Sequence, residues 1–403
     1  MKVLVINAGS SSMKFTLFSM ANNTVLAKGQ FERLGTSKPN MIYKRISDGL
    51  KFEGIVPVKN LEEALKTVCA KLVDPADGVL KNLGEIAAIG HRVLLGGEKI
   101  TKPVKVNAEV KAIIREFIPL GPLHNPANLA GIEACEATMP SIPNVAVFDT
   151  QFHMTMPPEA YLYAIPYEYY EKYGIRKYGF HGTSHRYVTL ATADFLGKKQ
   201  EDVTLITCHL GNGCSMAAVK NGKVIDTTMG LTPLEGLMMG TRSGDLDPAV
   251  VVHLAEQGHT PKEIDTILNK KSGLFGVGGI NSGDMRDMIS AAESGNERAE
   301  LALKMFARRV VKYIGAYYVL LGGVDALVFT GGVGEYSVPM RRRITGQIEA
   351  LGVKLDPERN QACFGKAGVI STDDSAWKMI VMPTDEELMI ARDTVSILGL
   401  KEA

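Results

Sequence analysis

The chain carries almost no net charge: 45 Lys and Arg stand against 44 Asp and Glu, leaving +1 over 403 residues. That balance argues against nucleic-acid and membrane-surface partners, which demand a basic face. The run Arg341-Arg342-Arg343 reads as a solvated helix face. Long apolar runs are missing as well, and no charged segment followed by an apolar stretch opens the chain, so neither a membrane span nor a leader is expected. The five cysteines, Cys69, Cys135, Cys208, Cys214 and Cys363, never form a C-x-x-C pair. An odd number of scattered thiols suits a reduced, cytoplasmic protein.

Familiar catalytic signatures are absent too. There is no G-x-S-x-G elbow for a serine hydrolase. The GVGG at residues 276–279 has Asn281 where a dinucleotide fingerprint needs its third glycine. His181 and His185 are spaced as two metal ligands would be, but Gly182 lies between them and nothing completes H-E-x-x-H, which disfavours zinc.

What is present begins at the first residues, MKVLVINAGSSSMKFTLF. An apolar β-type run at 3–6, a polar turn at 7–12 and an alternating run at 13–18 spell strand, tight turn, strand. The turn gathers backbone N–H groups, hydroxyls and Lys14, a donor set suited to phosphate oxygens. It is no Walker A loop, because a strand and not a helix follows it. The same shape returns at 203–219, where LGNGCS (210–215) forms the turn, and both turns end in Ser-Met. Two such openings, each heading about half of the chain, point to a duplicated α/β fold. At 403 residues there is length enough for two cores.

Between these openings, 61–73 and 110–117 read as helices, and 86–89 reads as a strand leading into a loop from Gly90. The helix at 127–137 has Asn125 as its candidate cap. The strand at 145–148 ends in Asp149, at the carboxyl end where α/β sheets hold ligands. The Pro- and Tyr-rich stretch 151–170 reads as a linker or covering loop. Further on, 227–247 is a glycine-rich loop carrying Arg242, of the kind that approaches a ligand. A long helix at 299–321 reads as core. The strand 326–330 runs into a Gly-rich turn at 331–335, a ready anion or nucleotide contact. After a last strand at 381–383, Thr384 and Glu387 suggest a capping box for a terminal helix. Gly-rich turns, carboxylates at strand ends (Asp149, Glu386) and arginines in Gly-rich loops (Arg92, Arg242) together match phosphoryl transfer, with divalent metal, donors and cations sharing the charge.

The motifs VINAGSSSMKF, GHRV, PLHNPANL, VFDTQFHMTMPP, YGFHGTSH, HLGNGCS, MGLTPLEGLMMGTRSGDLDP, FTGGVGE and PTDEE follow one another along nearly the whole chain. In this order they closely resemble the acetate and propionate kinase family. That resemblance implies a duplicated actin-like (ribonuclease H-like) ATPase fold with a central nucleotide cleft. Residues 1–150 plus 385–403 would form the carboxylate and Mg²⁺ side, and 151–384 the nucleotide-binding and dimerising side. Domain closure would exclude water that otherwise hydrolyses ATP. The implied reaction is direct in-line, Mg²⁺-dependent (with Mn²⁺ as the alternative ion) and reversible transfer of the ATP γ-phosphoryl group to acetate, in a homodimer.

The resemblance also implies roles. Asn7 and Glu386 would hold the metal, while Ser10, Ser12 and Lys14 would contact phosphate. His209, Leu210, Gly211, Asn212 and Gly213, then Asp284, Met285 and Arg286, and then Gly331, Gly332, Val333, Gly334 and Glu335 would form the ATP site. Arg92 would bind the substrate carboxylate. Leu94, Leu123, Phe180 and Pro233 would wall its methyl group, with His124 nearby. His181 and Arg242 would steady the transition state, and Asp149 fits the family's proton acceptor. A carboxylic acid near pKa ~4.3 is already ionised at neutral pH, however, so Asp149 is expected to orient Mg²⁺ or its water instead. The chain departs from the family at Leu94-Leu95, where Val-His is usual, and at Tyr336, where Asn is common. The larger Leu94 narrows the pocket and favours acetate over propionate, a difference worth only ~1–3 kcal/mol. Rival readings are a propionate or butyrate kinase of the same mechanism and a partner-binding actin-like ATPase. The carboxylate clamp at Arg92 argues against the second.

The central problem of such chemistry is an anion attacking an anionic phosphate. Arg242→Ala is therefore expected to lower kcat by at least about 10³, on the scale of arginine-finger effects. Near-normal turnover in that variant would remove Arg242 from the mechanism.

Overall fold

We analysed a computed structural model, which describes residues 1–122 and 124–400. The chain divides into two compact units: Met1–Phe152 with Asp385–Ala403, and His153–Thr384.

Unit 1 is built on an eight-stranded sheet. Its strands are β1 (Lys2–Ala8), β2 (Ser12–Ser19), β3 (Thr24–Glu32), β4 (Asn40–Arg45), β5 (Lys51–Ile55), β6 (Ile86–Val93), β7 (Val104–Lys105) and β8 (Asn144–Phe148), in the order β5-β4-β3-β2-β1-β6-β8-β7. Unit 2 has six: β9 (Leu205–Leu210), β10 (Cys214–Lys220), β11 (Lys223–Thr227), β12 (Ala326–Thr330), β13 (Gly368–Val369) and β14 (Lys378–Val381), in the order β11-β10-β9-β12-β14-β13. In each sheet the first strand pairs antiparallel with the second and parallel with a later one, β6 or β12, which is in turn parallel to β8 or β14. The pattern β3-β2-β1-β6-β8 therefore repeats as β11-β10-β9-β12-β14. The Ser-Met echo does not share this register. Met13 closes the first pair of its hairpin, opposite Ala8, whereas Met216 lies opposite Cys208, two pairs below Cys214 and Leu210.

Central strands are apolar without alternation because both faces are covered. Val3, Leu4, Val5 and Ile6 of β1, and every residue of β8 and β12, are buried. One face of the first sheet packs Leu4, Phe15, Phe31 and Ile89 against Leu65 and Val68 of the helix Leu61–Leu72. Ala146 and Phe148 cluster with Val93, Ile114 and Ile132. Each fully buried Leu, Ile or Phe contributes about 1.5–3 kcal/mol. In unit 2 the helix Glu297–Leu321 buries Ala299, Leu303, Phe306, Val310, Ile314, Tyr317 and Leu321 at helical spacing, so this face is core. No helix among the described residues is long and apolar enough to cross a membrane.

Several local readings change. The strand at 86–89 continues through Gly90, His91 and Arg92, all three paired with β8 and the first two also with β1. The polar residues are tolerated because His91 Nε2 meets Asn144 Oδ1 at 2.7 Å, and burial pushes its imidazole down to about 4. The stretch 151–170 is folded into the short helices Gln151–Thr155 and Pro158–Tyr161, with Glu168–Tyr173 following. Residues 331–335 are helical rather than a simple turn, within Gly331–Tyr336. The terminal helix Glu386–Leu398 is capped by Asp385, whose carboxylate accepts from Leu388 N–H at 2.8 Å, and not by Thr384.

That helix lies close against β6. A Cβ on Gly90 would stand 2.5 Å from Thr394 Oγ1 and 2.7 Å from Ile390 Cγ2. Gly90 thus sets the depth at which the helix, and Glu386 at its start, sits beside Arg92. Gly90→Ala should cost about 1–3 kcal/mol by overpacking, read as a lower urea midpoint with an unchanged slope. An unchanged midpoint would mean that the helix moves aside freely.

Candidate active site

In unit 1 several of the candidate side chains line a recess of about 240 Å³, bounded by Asn7, Ala8, Gly9, Ser12, Lys14, Arg92, Leu94, His124 and Asn128. Asn7 and Lys14 are cross-strand partners at the mouth of the first hairpin, and Gly9 N–H donates to Ser12 O at 2.8 Å to close its turn. Arg92 and Asp149 come from neighbouring parallel strands, because Val93 lies opposite Phe148. The guanidinium forks onto the carboxylate, Nε to Oδ1 at 3.0 Å and Nη2 to Oδ2 at 2.5 Å. Asp149 is fully buried, and its charge raises the pKa of Arg92.

Glu386 shares this field. Burial pushes its carboxyl up to about 7; Arg92 lowers it, while Asp149 raises it further. Two carboxylates served mainly by one arginine leave negative charge that a divalent cation would offset. Among the described residues no group of three or more His, Cys, Asp or Glu side chains could hold a metal alone. That donor set fits an ion that takes one or two protein oxygens and completes its shell with phosphate and water.

The wall around Leu94 is fixed by two buried amides, Asn128, which the sequence did not single out, and Asn125, which it suggested as a helix cap. Asn128 accepts from Leu94 N–H at 3.0 Å and donates to Ala8 O at 2.8 Å, joining the Leu94 segment to the first hairpin. Asn125 accepts from Leu95 N–H and donates to Leu95 O and Ile114 O, so it is no cap; it belongs to the helix Asn125–Thr138. Two asparagines three apart on an otherwise apolar helix face were the available signal. Ser10 lies outside the recess and lines a separate hollow with Lys59 and Glu62. Leu123 lies outside the described residues.

Unit 2 carries a groove of about 840 Å³. Gly211, Asn212, Asp284, Met285, Arg286, Gly332 and Val333 line it, together with Thr241, Ile289, Tyr336 and Phe364. Three backbone segments converge here. A Cβ on Gly240 would stand 1.9 Å from Asn212 Oδ1, and one on Gly283 would stand 2.5 Å from Gly240 O, so neither position admits a side chain without displacement. Asp284 caps the helix Met285–Glu293 and chelates the Arg286 guanidinium at 3.0 and 2.7 Å. Tyr336 and Phe364 meet edge to face, ring centres 5.2 Å apart.

The other residues expected at the nucleotide stand elsewhere. Leu210 is core, and the Gly331 and Gly334 backbones pack against β9 and β12. Glu335 turns inward, accepting from Gly331 N–H at 2.9 Å and Thr384 N–H at 3.2 Å. His209 stacks on His181 with ring centres 4.3 Å apart, and its Nδ1 meets Ser184 Oγ at 2.8 Å. His181 has φ +56°, a left-handed conformation costing an L-residue about 1–2 kcal/mol. A Cβ placed on Gly213 would lie 3.5 Å from both Arg242 Nη1 and His181 Cε1, so these two side chains face the same glycine. Arg242 donates to Pro233 O at 3.3 Å and meets no carboxylate among the described residues; burial lowers its pKa. The neighbouring Phe180 is buried, its carbonyl bonded to His153 Nε2 at 2.8 Å. The loop carrying Arg242 is tied down by Asp245, which accepts from Gly236 N–H at 2.7 Å and from Tyr313 O–H at 2.7 Å.

Two matching sheets, each opening on a glycine-bearing hairpin, define the duplicated α/β class of actin-like ATPases. A model described as the acetokinase family matches residues 2–392. The acetate kinase of Dictyoglomus turgidum is 55% identical over 403 residues, covering 100% of this chain and 98% of that one. The crystal structure of Porphyromonas gingivalis acetate kinase superposes with a TM-score of 0.94 at 47% identity, covering 98% and 99%. A propionate kinase from Francisella tularensis reaches 0.92 at 40% identity, covering 98% and 99%. The chain belongs to the acetokinase family.

The arginine run is not a solvated face. Arg341 is fully buried and uses all its donors: Nε to Asn360 Oδ1 at 2.7 Å, Nη1 to Gly334 O and Glu335 O, and Nη2 to Asn360 O and Cys363 O. It ties the Gly331–Tyr336 helix to the segment ending at Phe364, two walls of the groove. Burial pushes its pKa down to about 10. Arg343 forks onto Glu300 at 2.8 Å, and only Arg342 is exposed. Arg341→Met should cost at least about 3 kcal/mol, since several carbonyls lose their donor at about 1–3 kcal/mol each. Arg342→Ala should stay within about 0.5 kcal/mol. Urea denaturation of both variants checks the contrast, and equal effects would refute it.

Proposed function

We propose that the protein is a kinase that transfers the γ-phosphoryl group of ATP to acetate, reversibly, giving acetyl phosphate and ADP. The observation that carries this reading is the recess of unit 1. There a guanidinium and an apolar wall, Arg92 and Leu94, line one space of about 240 Å³. A short carboxylic acid is the ligand that satisfies both at once. The names of the full-length relatives support the same reading.

Asp149 holds Arg92 through Nε and Nη2, which leaves Nη1 for the carboxylate of the substrate. The bound acid is already ionised, so no residue has to remove a proton. Leu94 meets the methyl group. Ser12 and Lys14 supply donors to phosphate oxygens, while the nucleotide lies along Asn212, Asp284 and Gly332. Arg242, with no carboxylate of its own among the described residues, keeps its positive charge for the transferring group, and the His181 ring stands with it. A divalent ion, Mg²⁺ or Mn²⁺, would be held by Asn7 and Glu386 and would neutralise phosphate charge. Oxygen donors with few protein ligands suit a hard ion that keeps water and phosphate in its shell, and they serve Mg²⁺ and Mn²⁺ alike.

A propionate kinase is the second reading, favoured by the Francisella relative and opposed by the bulk of Leu94. Hydroxylamine trapping of acyl phosphate with ATP and Mg²⁺ across formate, acetate, propionate and butyrate separates them. Acetate should give the strongest signal, and Leu94→Ala should shift preference toward propionate by about tenfold, the worth of roughly one methylene. A propionate maximum in the unaltered protein would overturn the pocket argument. ATP loss without trapped product for any acid would overturn the function.

A further inference from the structure

Behind His181 lies an unbroken series of hydrogen bonds, running from a partly buried one into two fully buried ones, that the reaction as derived does not use. His181 Nδ1 meets Ser215 Oγ at 2.8 Å. The same oxygen meets His185 Nε2 at 2.8 Å, and His185 Nδ1 meets Thr207 Oγ1 at 2.7 Å. Ser215, His185 and Thr207 are all fully buried. Two adjacent strands build the series: Ser215 lies opposite His209 and Ala217 opposite Thr207, while His185 and His181 come one turn apart from the helix that begins at Gly182.

Each of these three bonds needs one proton, and only two arrangements supply one to every bond. Burial, reinforced by His153 and His209, holds His185 well below the usual imidazole range, so it is neutral and carries a single N–H. If the donors run away from His181, the Thr207 hydroxyl proton is turned out of the series. Its one other acceptor among the described residues is Ala217 O at 3.5 Å, the limit of a useful hydrogen bond. If the donors run toward His181, Thr207 donates to His185, His185 Nε2–H donates to Ser215, and Ser215 donates to His181 Nδ1. No buried proton is then stranded, which is the cheaper state.

We propose that Thr207, His185 and Ser215 are positioning residues that fix His181 as the neutral tautomer with its proton on Nε2. That nitrogen is 3.6 Å from where a Cβ on Gly213 would stand, the point Arg242 also faces. His181 thereby offers an N–H donor beside Arg242 without having to become charged. The kinetic half of this inference rests on the assignment of His181 to the phosphoryl group; the tautomer does not.

The full-length protein labelled with [¹⁵N]histidine, at neutral pH and without substrates, tests it by long-range ¹H–¹⁵N correlation. His181 is identified by its loss in His181→Gln. The expected spectrum has a pyrrole-type Nε2 and a pyridine-type Nδ1. Thr207→Val, nearly isosteric and two bonds removed, should populate the other tautomer and shift both signals, while Thr207→Ser should restore them. A pyrrole-type Nδ1, or protons on both nitrogens, in the unaltered protein overturns the proposal without recourse to any variant. In kinetics, Ser215→Ala should lower kcat about 10–100-fold, as losing the outer partner of a functional histidine does, with KM for ATP unchanged. Unchanged kcat overturns the positioning role. Full turnover in His181→Gln overturns instead the catalytic assignment on which the kinetic half rests, and leaves the spectrum to decide the tautomer.

Discussion

A carboxylate with no access to water has to be met by a cation, and in unit 1 that requirement joins Asp149 to Arg92. The pair is possible because β6 and β8 are parallel neighbours whose ends lie level. It is bidentate, so it fixes the plane of the guanidinium as well as its position. The rest of the recess depends on it. Leu94 follows Arg92 by two residues and is held by Asn128, which also reaches Ala8 at the end of the hairpin strand. Glu386 enters from the terminal helix, seated against β6 where Gly90 leaves no Cβ in the way. Breaking the pair by removing the arginine would strand a buried charge, typically worth several kcal/mol. On the proposed role of Arg92, loss of activity in such a variant would mix substrate binding with local stability.

Unit 2 uses its cations in the opposite manner. Arg242 is partly buried yet bonded to a carbonyl and not to a carboxylate, and burial works against its charge. Arg341 is wholly buried and held by carbonyls and an amide. Neither charge is cancelled by an acid among the described residues. For Arg341 all donors are spent on the chain, which makes it a strut between two walls of the groove. Arg242 has donors left over. That difference, and not the presence of an arginine in a glycine-rich loop, separates a structural cation from the one proposed to meet phosphate.

The sequence pattern carried the duplication and the hairpin side of the recess, because both are local or periodic, while Asn7, Leu94 and His124 entered through the family resemblance. The hairpins at Ala8 and Leu210, the unalternated strands and the carboxyl-end Asp149 are all readable from residue types in order. The failures have a common cause. Gly90, His91 and Arg92 look like a loop until His91 is given Asn144 and Gly90 is given the terminal helix, partners 53 residues and about 300 residues away in sequence. Three consecutive arginines look solvated until one of them finds four carbonyls. Polarity predicts exposure only when no buried partner exists, and partners are a property of the fold. Ser10 fails for a smaller reason: in a tight turn successive side chains diverge, so the three serines at 10–12 could not all face one ligand.

The same limit applies to charge as a guide to catalysis. Reading His181, His185 and His209 as titrating groups invites an acid–base role, yet the chemistry asks for none, since the acceptor acid is ionised before it binds. What the transferring phosphoryl group needs is donors already in place when charge redistributes, because preorganised dipoles cost no reorientation during the step. A histidine held in a left-handed backbone, stacked on a second ring and hydrogen-bonded through Nδ1, is restricted in both orientation and position. Strain of about 1–2 kcal/mol in the backbone at His181 is sustained by those contacts. It is the kind of local cost that persists where surrounding structure over-determines a residue, and here it aims one ring edge at the glycine that Arg242 faces.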